Sequence, residues 1–151
     1  MELRPIAKSD IKLLDKFSYG TMSEQEKQKM IEESVSKMHE GKYFELFLVF
    51  QNAKCIGIMN VFEHTECIVS VAPEILESER HKGYGFESLI AVLSLMYEKD
   101  YTIAVADVAI DNTASVKLHE KLGFERERTY QKVGKEFALY IRTLREFGED
   151  I

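Results

Sequence analysis

Three apolar runs in the first half of the chain follow one another so closely that antiparallel pairing is the simplest arrangement open to them. The runs read YFELFLVF, KCIGIMNVF and CIVSVA, and the short segments QNA and EHTE join them. Connections of this length fit hairpins, whereas parallel strands need a crossover of roughly a dozen residues or more. The sequence therefore predicts an antiparallel meander.

The residues before the meander predict one strand and two helices. LRPI is a short first strand, and Ser9 is placed to cap the first helix. The segment SEQE at 23–26 fits a capping box, in which the serine oxygen and the glutamate side chain each take a backbone N–H group. We expect this second helix to reach about Gly41. Its expected apolar face comprises Met30, Ile31, Val35 and Met38.

The residues after the meander predict a helical crossover followed by further strands. Apolar residues recur every three or four positions in FESLIAVLSLMYEK, so one side of a helix there faces the sheet. YTIAVADVAI is a buried strand. Asp111 or Asn112 caps a short helix that ends at Gly123, and two last strands, roughly Arg126–Val133 and Phe137–Leu144, join through GK.

This order of elements indicates an α/β or α+β fold. It combines a mixed, mostly antiparallel sheet of seven strands with four helices, in the order β-α-α-β-β-β-α-β-α-β-β. A chain of 151 residues has the usual size of one domain, so we expect a single domain over residues 1–151. Order is expected throughout, except at the acidic C-terminal end.

The net charge and the cysteine content disfavour several classes of binding surface and site. The net charge of -6 and a pI near 5.3 disfavour a nucleic-acid or anionic membrane surface and suit a cationic partner. The sequence shows no signal-peptide core and no apolar run long enough to span a membrane, so a cytoplasmic protein is expected. Cys55 and Cys67 lack the spacing of a disulfide framework or zinc site, and EHTEC lacks ligand spacing, so we expect reduced thiols and no metal.

The segment RHKGYG places two glycines at the start of the crossover helix. Gly83 and Gly85 would let the backbone approach a ligand, and the first turn of the helix offers unpaired N–H groups at the positive end of its dipole. A pyrophosphate suits this arrangement, with Arg80, His81 and Lys82 as charge partners at the rim. Taken alone, the two glycines equally fit tight packing at a helix start.

The RHKGYG loop does not match two common nucleotide-binding motifs. Ser88 stands where a dinucleotide fingerprint needs its third glycine, and the Gly-Lys-Ser/Thr that ends a P-loop is missing. Instead, VSVAPE, RHKGYG with its helix, and DNTASVKLHEKLGF together resemble the GCN5-related N-acetyltransferase (GNAT) family. That family has Val-x-Pro, then Arg/Gln-x-x-Gly-x-Gly/Ala, then Asn-x-x-Ala/Ser-x-x-Leu-Tyr-x-x-x-Gly-Phe. The motifs cover roughly residues 69–124, and the element order covers the whole chain.

The resemblance implies how coenzyme A binds. In the family, the fourth and fifth strands are parallel and splay apart, and the pantetheine arm lies in the gap against backbone of the fourth strand. Here that backbone would be Val69, Ser70 and Val71. The chain has more residues between Pro73 and Gly83 than the compact family pattern, which leaves the register of the binding amides open.

The same resemblance implies a site for the pyrophosphate and a contact to the pantetheine arm. The pyrophosphate is expected over the loop and helix start formed by His81, Lys82, Gly83, Tyr84, Gly85 and Phe86. Asn112 matches the family asparagine that hydrogen-bonds the pantetheine arm, although it could equally cap its helix, and both roles can coexist.

Acetyl transfer to an amine also needs proton-transfer groups. An alkyl ammonium with a pKa near 10.4 is almost fully protonated at pH 7, so a base or a water relay must take its proton. Asp107 at the end of the fifth strand is the first candidate and Glu63 the second. His119 stands where the family usually has the tyrosine that protonates the leaving sulfur, so it is the candidate acid, with Tyr130 and Tyr84 as alternatives. Asp107 could equally be a solvated carboxylate at a strand end, and His119 could be a helix histidine that only lines the cofactor.

The resemblance implies direct transfer of the acetyl group from acetyl-CoA to a primary amine of a small molecule or peptide, in a ternary complex. The acceptor is expected between the first two helices, the EHTE turn and the last hairpin. A non-catalytic acyl-CoA-binding regulatory module is the alternative, and the histidine in place of tyrosine is its best argument. A nucleotide-binding regulator is a third possibility. Many relatives are dimers, so a homodimer is a further expectation that the sequence alone does not fix.

Overall fold

The sheet consists of seven strands in the computed structural model, which describes residues 1–145. The strands are β1 (Glu2–Pro5), β2 (Phe44–Gln51), β3 (Lys54–Glu63), β4 (Ile68–Ile75), β5 (Ile103–Ala109), β6 (Glu125–Lys132) and β7 (Lys135–Thr143). Their spatial order is β1-β2-β3-β4-β5-β7-β6, and only the β4–β5 pair is parallel. The mixed, mostly antiparallel sheet expected from the sequence is confirmed. The expectation of disorder at the acidic C-terminal end falls on residues 146–151, outside the described residues.

Three α-helices and a 3₁₀ helix take the four predicted helical positions. The α-helices are α1 (Glu24–Ser36), α2 (Tyr84–Glu98) and α3 (Thr113–Lys121). The first predicted helix forms instead as the 3₁₀ helix Lys8–Lys16, and shorter 3₁₀ turns lie at Ser18–Thr21 and Glu77–Glu79.

The predicted cap of this first helix is wrong. The helix begins at Lys8 after the extended residue Ala7, so Ser9 lies inside its first turn. The carboxylate of Asp10 accepts a hydrogen bond from the Ala7 N–H at 2.9 Å and fixes the start of the helix.

The capping box of α1 is confirmed, whereas the predicted end of the helix is not. Ser23 Oγ accepts from the Glu26 N–H at 3.1 Å, and the Glu26 carboxylate accepts from the Ser23 N–H at 3.0 Å. The helix stops at Ser36 because Lys37 adopts a left-handed conformation with φ of 58°. Of the predicted apolar face, Ile31 is buried and Met30 packs partly against the core. Val35 and Met38 are 49% and 55% exposed.

Alternate residues of the central strands face two separate apolar clusters, because successive side chains of a strand point to opposite sides of the sheet. We call the side that packs against α2 the α2 face; its sheet residues include Met59, Val61, Val69, Val71, Ala104 and Ala106. We call the other side the α1 face; it includes Phe44, Leu46, Leu48 and Ile58, which cluster with Ile31 of α1 and Leu14 of the 3₁₀ helix. Candidate residues on opposite faces are separated by the sheet and cannot contact one another.

Both cysteines are free thiols, as expected. Cys55 is buried in β3, and Cys67 is exposed in the turn before β4. Within residues 1–145, no helix combines the length and apolar character needed to cross a membrane.

Replacing Leu14 with alanine should lower the free energy of unfolding by about 2–5 kcal/mol, because the side chain is fully buried and anchors the 3₁₀ helix to the α1 face. The matched control is Leu13→Ala, since Leu13 is only partly buried in the same segment. Urea unfolding of the two variants measures the difference. Equal losses would show that Leu14 is not the anchor.

Candidate active site

β4 and β5 separate after a short parallel contact. Residues 68–70 of β4 pair with residues 103–105 of β5, but β4 continues to Ile75 and β5 to Ala109 without pairing to each other. β3 pairs with β4 beyond this point, and β7 pairs with β5. Each strand therefore has one edge that faces a gap. Backbone groups along such an edge can pair with an extended ligand as they would with another strand.

The three residues expected to contact the pantetheine arm lie at different places relative to the gap. Val69 and Ser70 lie within the section paired with β5, so of the three predicted residues only Val71 lies where the gap opens. We call Val71–Ile75 the open edge of β4. The strand runs through Pro73, which accounts for the extra residues between the proline and the glycine loop. Proline cannot donate a ladder hydrogen bond and is tolerated there because β5 has already moved away.

The two glycines of the loop are required for different reasons. Gly83 precedes α2 with φ of +86°, and no other atom lies within 4 Å of where its Cβ would be, so its conformation is what demands glycine. A Cβ on Gly85 would lie 3.3 Å from Leu118 Cδ2 and 3.9 Å from Ile75 Cγ1. Gly85 therefore allows α2, α3 and the open edge of β4 to pack closely. This is the tight packing at a helix start that the sequence offered as the alternative to ligand binding.

The first amides of α2 point into this region without a side-chain cap. Gly83 has no side chain to accept from them, and the first N–H groups of a helix have no partner within the helix. The amides concerned belong to Tyr84, Gly85 and Phe86, whose residues are half-buried. Tyr84, an alternative proton donor, thus lies at the loop end of α2.

The cationic residues before the glycines are exposed, and two of them already have structural contacts. Arg80 Nε donates to the carbonyl oxygen of Ile75 at 3.1 Å and so ties the loop to the end of the open edge. Lys82 Nζ lies 3.4 Å from the carboxylate of Glu79. His81 has a left-handed backbone with φ of 64°. Their predicted role beside a pyrophosphate stays a prediction.

Asn112 caps α3, as one of its two expected roles requires. Its Oδ1 accepts a hydrogen bond from the Ser115 N–H at 3.1 Å, and the residue is exposed beyond the end of β5. Contact between its side chain and a cofactor stays a prediction.

Asp107 and Tyr130 form a hydrogen-bonded pair beside the gap. The Tyr130 hydroxyl donates to Asp107 Oδ1 at 2.5 Å. Val105 is in register with Ser70, so Asp107, two residues further along β5, projects from the same α1 face. Partial burial and the hydrogen bond to Asp107 raise the pKa of Tyr130 to about 12, so its phenol stays protonated at neutral pH. A carboxylate and a proton donor therefore meet just beyond the last β4–β5 pair.

His119 lies on the opposite side of the sheet from Asp107. Its ring packs edge-on against Phe124 and at a tilt to Tyr140, both part of the cluster on the α2 face, and it is 2% exposed. Nδ1 lies 2.8 Å from the carbonyl oxygen of Ser115, which can only accept a hydrogen bond, so Nδ1 carries the proton.

This geometry leaves His119 poorly suited to the expected acid role. Burial lowers the pKa of the imidazole, so the ring is neutral and Nε2 carries no proton to donate. Nε2 has no hydrogen-bond partner within residues 1–145. The role of His119 as the acid stays a prediction.

Glu63, the second candidate base, is also on the α2 face. It is in register with Val69, and its carboxylate accepts a hydrogen bond from the Tyr101 hydroxyl at 2.5 Å. Burial and this hydrogen bond raise the pKa of the tyrosine. The structure therefore brings Asp107 together with Tyr130 but separates it from Glu63 and His119.

A cavity of about 590 Å³ opens on the α1 face and reaches the open edge of β4 at Ala72. We call it the α1 cavity. Its lining residues are Met22, Glu26, Lys29, Met30, Glu33, His39, Phe44, Asn60, Phe62, Ser70 and Ala72. Apolar and aromatic walls with a few polar groups are typical of a small-ligand site. Of the expected acceptor surroundings, the described lining of the cavity includes α1 but no residue of the first helix, the EHTE turn or the last hairpin, so the acceptor position stays a prediction.

Sequence reasoning missed one polar pair in this cavity. His39 Nδ1 hydrogen-bonds the carboxylate of Glu33, which lies on the last turns of α1. The expectation that α1 runs to Gly41 placed His39 inside a helix. The signal that could have located it is the HEGK segment, in which Glu40 and Gly41 both have positive φ and form a two-residue turn.

A second cavity, of about 620 Å³, lies between α2, Gly123 and the end of β7. Its walls include Phe86, whose ring lies 4.6 Å from Lys121 Nζ. None of its described lining residues belongs to β4 or carries a candidate catalytic group.

A model of the acetyltransferase (GNAT) domain matches residues 1–125. The chain belongs to the GNAT acetyltransferase family. The match includes β4, β5, the glycine loop and α3, the elements around the gap. The resemblance inferred from the motifs is confirmed.

The curated relatives that match part of this chain are also acetyltransferases. The L-methionine sulfoximine/L-methionine sulfone acetyltransferase of Pseudomonas aeruginosa is 28% identical over 85 residues, which are 56% of this chain and 49% of that protein. The chain thus spans about half the length of the curated relatives it matches.

Two solved structures show the same fold. A chimera of the spermidine N-acetyltransferase SpeG from Vibrio cholerae and hSSAT superposes with a TM-score of 0.81 at 16% identity, covering 95% of this chain and 96% of that one. The yncA structure from Salmonella typhimurium, which contains acetyl-CoA, has a TM-score of 0.78 at 16% identity and covers 96% and 94%.

The free energy of unfolding should fall as the pH drops below about 6.5, in part because of His119. Burial lowers the pKa of the folded imidazole, whereas the unfolded side chain titrates near 6.5, so the unfolded state binds more protons between the two values. In His119→Gln this part of the loss disappears. Urea unfolding of both proteins from pH 8 to pH 5 measures it, and parallel curves would contradict the buried neutral assignment.

Proposed function

We propose that this chain is an acetyl-CoA-dependent N-acetyltransferase that moves the acetyl group directly to a primary amine of a small molecule or peptide. The observation that supports this most is the open edge of β4 beside a gap, in a chain of the GNAT family. The α1 cavity, which reaches that edge at Ala72, offers a place for the acceptor on the same face as Asp107.

The residues around the gap fit acetyl-CoA, which supplies the activated acetyl thioester when it is bound. Backbone groups of Val71–Ile75 would hold the pantetheine arm, with Asn112 at the far side of the gap. The uncapped amides of residues 84–86 would hold the pyrophosphate, and Lys82 and His81 would lie at its rim. Side chains are absent at Gly83 and Gly85, where the phosphates would approach the backbone.

Asp107 and Tyr130 can pass one proton from nitrogen to sulfur. Asp107 takes a proton from the amine nitrogen as the new N–C bond forms, and Tyr130 gives its hydroxyl proton to the departing sulfur. Protonated Asp107 then gives its proton to the Tyr130 phenolate through the short hydrogen bond. Both groups thereby return to their starting protonation states. Because the pKa of Tyr130 is raised to about 12, the phenol does not lose this proton to solvent beforehand.

A non-catalytic acyl-CoA-binding module remains the second candidate. The observation in its favour is that the residue at the family's usual tyrosine position, His119, is buried and carries its proton on the nitrogen facing Ser115. The two candidates differ in turnover and agree on cofactor binding.

Thiol release separates the two candidates. Wild-type protein with acetyl-CoA should release free coenzyme A in the presence of an amine, followed with a thiol reagent. A suitable panel is spermidine, L-methionine sulfone and a short peptide with a free N-terminus. Tight acetyl-CoA binding by calorimetry with no thiol release for any of the three would favour the module. Absence of binding would remove both.

Asp107→Asn and Tyr130→Phe should each lower kcat by on the order of 10²-fold, because each variant interrupts the same proton relay. The double variant should lose little more than either single one, since the two groups act as a unit. The dissociation constant of acetyl-CoA should stay unchanged. Asp111→Asn, which removes a carboxylate from the exposed turn after β5, is the matched control. Independent, multiplying losses would contradict the relay.

A further inference from the structure

The proposed relay leaves one proton of the acceptor unassigned. An alkyl amine arrives at neutral pH as an ammonium group with three N–H bonds, and the amide product of a primary amine keeps one. Asp107 and Tyr130 carry one of the other two protons to sulfur and return to their starting state. The remaining proton has to leave before attack, because an ammonium nitrogen has no lone pair. Either solvent or a second base on the acceptor side of the gap must take it.

The α1 cavity contains a histidine that is arranged to accept a proton. His39 Nδ1 hydrogen-bonds the Glu33 carboxylate, which can only accept, so Nδ1 carries a proton and Nε2 of the neutral ring has a free lone pair. Nε2 lies 3.8 Å from Glu40 Oε1, beyond hydrogen-bond distance. The side chain is 35% exposed and lines the cavity that reaches Ala72 on the open edge.

The position of this imidazole is fixed by the backbone and by aromatic neighbours. His39 and Lys42 exchange two backbone hydrogen bonds, of 2.8 and 3.0 Å, across the two-residue turn at Glu40 and Gly41. The ring lies 6.2 Å from the ring of Phe44 and 6.1 Å from that of Phe62, measured between centroids. A base held this firmly is pre-organised for proton transfer.

We propose that His39 is the base that takes the extra proton from the acceptor's ammonium group, and that Glu33 positions it. The inference rests on the proposed function and adds a residue that the family motifs do not include. The ammonium N–H bond breaks, its proton moves to Nε2, and its electron pair stays on nitrogen as the attacking lone pair. The N–C bond then forms, the C–S bond breaks, Asp107 and Tyr130 carry the second proton to sulfur, and the imidazolium releases the first to solvent.

The charges around His39 favour this role. Glu33 and Glu26 face the cavity from α1, and Glu40 lies on the same turn as the histidine. These carboxylates attract an ammonium substrate, whereas Lys29 opposes them from α1. β2, β3 and β4 contribute only neutral side chains to the cavity lining.

The pH dependence of His39→Gln tests the proposal. With whichever amine of the panel is turned over fastest, kcat/KM at pH 7 should fall on the order of 10²-fold. The deficit should then shrink by about tenfold for each pH unit as the pH approaches the pKa of that amine, because below this pKa the neutral fraction of the amine grows tenfold per unit. A histidine with only a structural role would give a deficit that stays constant with pH.

Two further variants and a control isolate the imidazole. Added imidazole should restore turnover of His39→Ala at pH 7, and Glu33→Gln should lower kcat less than His39→Gln does. Glu32→Gln is the matched control for Glu33→Gln, because Glu32 is exposed on the same helix but is not among the lining residues of the cavity. Its kcat/KM should match wild type at every pH.

The outcomes distinguish this inference from the proposed function. Wild-type turnover combined with a pH-independent loss in His39→Gln, no loss at all, or no rescue by imidazole would overturn the role of His39 and leave the acetyltransferase in place. No turnover and no acetyl-CoA binding by wild type would overturn both. Unchanged acetyl-CoA affinity and thermal unfolding of His39→Gln, with the predicted pH dependence, would support it.

Discussion

The early separation of β4 from β5 is the constraint on which the rest of the site depends. Seven strands could pair along their full lengths, yet the one parallel pair stops after residues 70 and 105. The backbone groups beyond that point would otherwise form ladder hydrogen bonds, each worth about 0.5–1.5 kcal/mol net. A ligand that lies along the gap can regain them. Pro73 fits only because β4 has a free edge there, so the sequence itself prevents the gap from closing with a regular ladder.

The alternation of side chains along the strands then decides which groups can cooperate. Ser70, Ala72 and Asp107 project from the α1 face, together with the cavity that contains His39. Glu63 and His119 lie on the α2 face, where hydrogen bonds to Tyr101 and Ser115 occupy them. In the proposed mechanism, Asp107 and His39 would accept protons at separate places on the α1 face.

Much of the fold could be predicted from the sequence because the signals were local and periodic. The hairpin spacing of the meander, the capping box at Ser23 and the helical repeat of α2 each depend on a few neighbouring residues. The predictions that failed concern the ends of helices, where neighbouring residues compete for the same role. Ser9 lost its capping role to Asp10, Val35 is exposed on the last turn of α1, and Met38 lies beyond the helix end at the left-handed Lys37.

The candidate site shows a similar contrast, between what local motifs predict and what depends on contacts across the sheet. The motifs located the glycine loop and Asp107, but the point at which two strands part depends on pairing across the sheet. Val69 and Ser70 lie within the paired section of β4, and their contact with the cofactor stays a prediction. His39 was missed because its partner Glu33 lies six residues away across a helix end, where no spacing rule applies.

Backbone hydrogen exchange with and without acetyl-CoA tests the central claim most directly. The account predicts slower exchange on binding for the amides of Val71 and Ile75, which face the gap while those of residues 72 and 74 face β3, and for the amides of residues 84–86. Exchange along β2 and β3 should not change. Protection confined to the cavity beside Gly123, or none in β4, would show that the gap does not hold the cofactor and would contradict the account.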